Sequence, residues 1–172
     1  MTIEDDIALL ESVPSFRTLG REALRVIAIG AESRTLQGGE VLFRQGDAAD
    51  CGYVVEEGSL TAAENEGEPT LLRRGALLGE LSLLTENKRP ATVTASEPSS
   101  VMRITRALFL RMLQGYPDVA DRLRRELIQR TEQTMRELSG VRYAFDRGDP
   151  PIELAADDGP KADETPDDPP KE

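Results

Sequence analysis

The sequence predicts a mainly β domain, an antiparallel sandwich or barrel, with helices on both flanks. Three observations carry this. Between Leu36 and Ile104 apolar residues alternate or fall in short β-branched runs, the period of half-buried strands. Glycine-containing turns punctuate that stretch at Gly38-Gly39, Gly46-Asp47, Gly58-Ser59, Glu66-Gly67 and Gly75. Before and after it the apolar spacing is helical.

At the start, Ile3, Ile7 and Leu10 space a short amphipathic helix over 3–12, and Val13-Pro14-Ser15 breaks it. A second helix follows from Arg21 to Ala31, burying Leu24, Ile27 and Ala28, with Gly30 near its end. Val41 and Phe43 alternate, Tyr53-Val54-Val55 is a β-branched run, Leu60 and Ala62 alternate, and Thr70-Leu71-Leu72 follows. Ala91 to Ala95 alternates again, and Val101-Met102-Arg103-Ile104 is the closing strand. Thr105 is placed to cap a helix from Arg106 to Gln114, carrying Leu108, Phe109, Met112 and Leu113. Gly115-Tyr116-Pro117 ends it, and a longer helix is expected over 117–138. Its positions Ile128, Thr131, Met135 and Leu138 form a stripe that suits either core packing or a dimer seam. From Asp146 proline and acid dominate, a composition that cannot bury enough apolar surface to order itself. The expected organisation is therefore helices over 1–34, β domain over 35–104, helices over 105–140 and a disordered tail over 141–172.

Composition narrows the chemistry. The chain has 172 residues and a formal charge of −11. Residues 146–172 hold ten acids against three bases, so most of that charge lies in the tail. This balance disfavours direct contact with nucleic acid or an anionic membrane. No apolar run approaches the roughly 18 residues of a membrane span. There is no histidine and Cys51 is the only cysteine, which excludes Ser-His and Cys-His catalysis, His-ligated metal and an internal disulfide. An enzyme is not expected. The acidic start and single cysteine suit a reducing cytoplasm. Glu56-Glu57 reads as solvated surface and Cys51 as a small, partly buried hydrophobe.

One stretch, residues 78–93, reads as an anion-binding turn. Gly79 frees the backbone, and Glu80 to Leu84 suit one helical turn whose first N–H groups lack intrahelical partners. Ten positions after Gly79 comes Arg89, a guanidinium suited to phosphate. Taken alone, Glu80 reads as a charge that stabilises the start of a helical turn, and Arg89 has the alternative of a surface charge paired with Glu86.

Gly79-Glu80-Leu81-Ser82-Leu83 followed by Arg89-x-Ala91-Thr92-Val93 resembles the phosphate-binding cassette of cyclic-nucleotide-binding domains. Residues 39–47 resemble the early β-roll of the same family, and the resemblance spans about 15–138. It implies an antiparallel β-roll, or jelly roll, with flanking helices. It also implies that Glu80 accepts the ribose 2′-hydroxyl and Arg89 pairs with the cyclic phosphate. Amides near Leu81 and Ser82 would complete the cradle, with Gly79, Pro90 and Ala91 beside it. Pro90 departs from the family, which usually has Ala, Ser or Thr there. Proline supplies neither hydroxyl nor N–H, which weakens binding and leaves nothing to favour cGMP, so cAMP is the expected ligand. Catabolite-activator relatives dimerise through the helix matching 117–138 and follow it with a helix-turn-helix, for which the acidic residues from Gly140 onward are too few. The reading is a stand-alone cytoplasmic regulator that signals through movement of its C-terminal helix to an unknown protein partner or a dimer mate. The alternatives are a degenerate, non-binding β-roll acting as an interaction module, and a transcriptional regulator without its own DNA-binding domain. Arg122, Arg124 and Arg125 read as a solvated face, a contact for the tail or a lid over the base.

Overall fold

A computed structural model describes residues 2–65, 67–126 and 129, all within one compact unit, Met1–Gln129. Residues 127, 128 and 130–138 of the helix expected over 117–138, among them Leu127, Ile128, Met135 and Leu138, lie outside the described residues, as do residues 141–172, where a tail is expected.

Helix α1 spans Ile3–Ser12 and opens on a capping box in which Thr2 accepts from the Asp5 amide and the Asp5 carboxylate accepts from the Thr2 amide. Pro14–Phe16 forms a 3-10 turn, and α2 spans Arg21–Gly30. Among the described residues ten strands follow: β1 Glu32–Leu36, β2 Val41–Phe43, β3 Ala48–Ala49, β4 Cys51–Glu57, β5 Ser59–Ala63, β6 Thr70–Arg73, β7 Leu77–Leu78, β8 Asn87–Lys88, β9 Thr92–Ala95 and β10 Ser99–Thr105. A 3-10 turn over Glu80–Leu83 separates β7 from β8. Helix α3 spans Arg106–Gly115, its Leu108 amide capped by Thr105 Oγ1 at 3.1 Å, and 117–126 is helical again.

The strands make two antiparallel four-stranded sheets, ordered β1-β10-β4-β7 and β2-β9-β5-β6, and a small β3-β8 ribbon. The chain is thus the expected antiparallel β-roll with flanking helices. Strand β1 begins at Glu32, where the sequence carries no apolar alternation. It is an edge strand paired only with β10, and four of its five side chains are exposed, so it needed no apolar face.

Strand β4 runs through the middle of the domain and is buried on both faces. Cys51, Tyr53 and Val55 join Leu60, Val93 and Val101 inside the roll. Val54, with Met102 and Ile104 of β10, packs against Leu10, Leu24, Ile27 and Phe109 of the helices. That double burial makes β4 a continuous apolar run rather than an alternation. Glu56 contradicts its reading as solvated surface. It is 2% exposed and accepts a hydrogen bond from Ser33 Oγ, whereas Glu57 is exposed. Among the described residues no helix is long and apolar enough to cross a membrane.

Candidate functional site

The site forms where the Glu80–Leu83 turn lies on β4. Gly52 makes that approach possible, because a Cβ there would meet Leu83 and the Leu78 carbonyl, both at 3.2 Å. Leu83 fills the space and is 1% exposed. Gly79 opens the turn at φ 72, ψ 40, a left-handed conformation that suits glycine. Arg106 ties the turn down from α3, with Nε donating to the Ser82 carbonyl at 2.8 Å and Nη2 donating to the Ala49 carbonyl.

Arg89 reaches this turn from the loop before β9. Its amide donates to the Asp47 carbonyl at 2.8 Å, and its own carbonyl accepts from Gly46 at 2.9 Å. Its side chain turns inward and is 4% exposed, so the reading as a surface partner of Glu86 is corrected; Glu86 instead faces Arg106 at 4.0 Å. Nη1 lies 3.5 Å from Ser82 Oγ, and Nη2 donates to Cys51 Sγ at 3.3 Å. The guanidinium carbon stands 4.2 Å from the Phe43 ring centroid and 5.6 Å from that of Tyr53. Among the described residues no carboxylate forms an ion pair with Arg89.

The turn brings Gly79, Ser82 and Arg89 together. A Cβ on Gly79 would lie 2.4 Å from Arg89 Nη1. Ser82 is 2% exposed, its hydroxyl donates to Asn87 Oδ1 at 2.9 Å, and its amide donates to the Gly79 carbonyl at 3.0 Å. That amide is thus engaged within the turn. Glu80 is half-buried at the first position of the turn, Leu81 and Pro90 are exposed, and Ala91 is buried. Sequence reasoning missed Phe43, Tyr53 and Cys51 as the surroundings of the guanidinium. Cys51 is fully rather than partly buried. A neighbouring hollow bordered by Ala49, Asp50, Glu86, Lys88 and Arg106 includes neither Glu80 nor Arg89.

The sequence profile of the cyclic nucleotide-binding domain matches residues 33–116. A solved structure of a cyclic nucleotide-binding-like protein from Brucella abortus is 36% identical, with a TM-score of 0.58 over 64% of this chain and 98% of that one. The chain belongs to the cyclic-nucleotide-binding domain family. The N-terminal domain of a transcriptional regulator from Streptomyces coelicolor is similar at 29% identity and TM-score 0.66, over 76% of this chain and 94% of that one. A cyclic nucleotide-gated potassium channel of Mesorhizobium japonicum is 32% identical over 71% of this chain. The chain spans 34% of that channel's length, so the match is to a domain and not to the whole relative.

Burial gives this cyclic-nucleotide-binding domain one alkaline signature. It pushes the Tyr53 phenol above its ordinary value of 10.0; the side-chain hydrogen bond with Cys51 adds to the rise, and Arg103 and Arg89 oppose it. The folded state therefore holds this proton more tightly than the unfolded chain. That stabilisation is fully present below about pH 10 and is lost as pH rises through the higher folded value. Wild-type protein is expected to lose unfolding free energy more steeply than Tyr53→Phe above that pH. Parallel loss in the two proteins during urea unfolding at stepped pH would refute it.

Proposed function

We propose that this chain is a cytoplasmic cyclic-nucleotide sensor whose ligand phosphate pairs with Arg89. One observation carries the reading: a guanidinium is 4% exposed, against a one-turn helix, with no carboxylate partner among the described residues. A buried cation lacking a counter-charge is costly, and a bound anion relieves that cost.

In this proposal Glu80 accepts the ribose 2′-hydroxyl. The turn from Gly79 through Leu81 and Ser82 approaches the phosphate, and Ala91 packs behind it. The preferred ligand is cAMP rather than cGMP, because Pro90 offers no hydroxyl toward the base. Ligand binding shifts the helix that begins at residue 117, and a dimer mate or another protein reads the shift. Such a switch requires affinity that differs between the two helix positions. The role is regulatory binding, not catalysis.

Calorimetric titration with cAMP and cGMP tests the reading. Saturable heat with cAMP bound more tightly is the expected result. Negligible heat for both nucleotides up to millimolar concentration would instead favour a degenerate roll that serves as an interaction module, the reading to which Pro90 lends support. Pro90→Ser restores one N–H and one hydroxyl. It is expected to raise affinity by about 5- to 150-fold, with the larger gain for cGMP. Unchanged affinity for both nucleotides would remove position 90 from the site.

A further inference from the structure

Among the described residues, Arg89 is held by something other than opposite charge. Its guanidinium lies over Phe43 at 4.2 Å, and the Phe43 and Tyr53 rings are themselves stacked at 5.9 Å and 27°. The edge of the guanidinium meets Cys51 Sγ and Ser82 Oγ. Strand β2 is shaped to present that ring. Leu42 is buried inside the roll and Phe43, the next residue, packs against the same cluster. Consecutive residues of a regular strand point to opposite faces. Here the pairing with β9 slips between Val41, opposite Thr94, and Phe43, opposite Val93. A bulge of this kind re-aims a side chain.

We propose that Phe43 is a positioning residue for the anion site, and that the Phe43–Tyr53 pair is a neutral shelf orienting Arg89 toward the Gly79–Ser82 turn. The proposal rests on the cyclic-nucleotide reading, since the ligand phosphate is what the oriented charge would meet. A carboxylate would orient the guanidinium equally well, but it would neutralise it and compete with the phosphate for the same donors. The face of an aromatic ring attracts the cation through its quadrupole and occupies none of the N–H groups. The positive charge, and the in-plane donors not directed at Cys51 Sγ and Ser82 Oγ, then remain for a monoanionic phosphodiester.

The test uses Phe43→Leu, which keeps an apolar side chain without a π face, and Phe43→Tyr, which keeps the face. In cAMP titrations Phe43→Leu is expected to weaken binding by about 2- to 30-fold, and Phe43→Tyr to recover most of that loss. A second measurement needs no ligand. Urea unfolding of wild type, Phe43→Leu, Arg89→Met and the double variant forms a thermodynamic cycle. The effect of Arg89→Met on the unfolding equilibrium is expected to differ by about 2- to 30-fold between the wild-type and Phe43→Leu backgrounds. Additive unfolding effects, or equal losses of cAMP affinity in Phe43→Leu and Phe43→Tyr, would overturn the shelf. Coupling in the cycle without any nucleotide binding by wild type supports the shelf and sinks the sensor reading. Nucleotide binding without coupling does the reverse.

Discussion

Arg89→Met is expected to abolish measurable cAMP binding and to leave the domain as stable as before, or more stable. Losing a buried phosphate–guanidinium pair costs about 2–5 kcal/mol, or about 30- to 4,000-fold in affinity. The stability expectation runs the other way. Arg89 is 4% exposed, and among the described residues no carboxylate pairs with it. A well-packed apolar residue in place of a buried charge is often neutral or stabilising. Methionine is unbranched, has a similar reach and fills the same space without charge. Titration and thermal unfolding of the same preparations separate the two effects. Retained affinity would place the ligand elsewhere. A fall in melting temperature comparable to a large core truncation would make Arg89 a structural residue with no bearing on a ligand.

Gly79→Ala is the second large effect. The residue sits at φ 72, ψ 40, where an L side chain costs about 1–2 kcal/mol. The added Cβ would also lie 2.4 Å from Arg89 Nη1 and 3.1 Å from the Cys51 carbonyl. The guanidinium cannot yield without leaving Phe43, and the carbonyl belongs to β4. Overpacking of this kind adds about 1–3 kcal/mol. A destabilisation of about 2–5 kcal/mol, with at least tenfold weaker cAMP binding, is expected. Gly39→Ala is the matched control. Gly39 also has a left-handed backbone, at φ 84, but a Cβ there meets nothing within 4 Å. It should show the backbone cost and keep its affinity. If both variants bind cAMP equally well, displacement of Arg89 is not what Gly79 guards against.

The β scaffold was legible wherever a strand needed an apolar face. Tyr53-Val54-Val55, Leu60 with Ala62, and Val101 to Ile104 all lie in the strands their patterns indicated. Strand β1 was not, because Glu32 to Thr35 are exposed at a sheet edge and buried no apolar stripe. The two-residue ribbon β3-β8 was also silent, since two residues are too short to show a period. Glu56 was misread because an acid beside another acid looks solvated. Strand β1, which lies beyond β10 in the sheet, supplies through Ser33 the hydroxyl that meets it. At the site, the Gly79-Glu80 pair and the spacing to Arg89 marked the turn, because a turn and its guanidinium are close in the chain.

Periodicity and spacing are properties of neighbours along the chain, so this sequence by itself determined the glycine-punctuated roll, its flanking helices and the identity of the candidate anion turn. Tertiary structure alone decided what surrounds Arg89. Its ring from β2 and its thiol from β4, the latter 38 residues away, converge only when the strands pair and β2 bulges. No local pattern records that convergence, because burial of a charge and the choice between a ring and a carboxylate beneath it are set by strands that meet only in the fold.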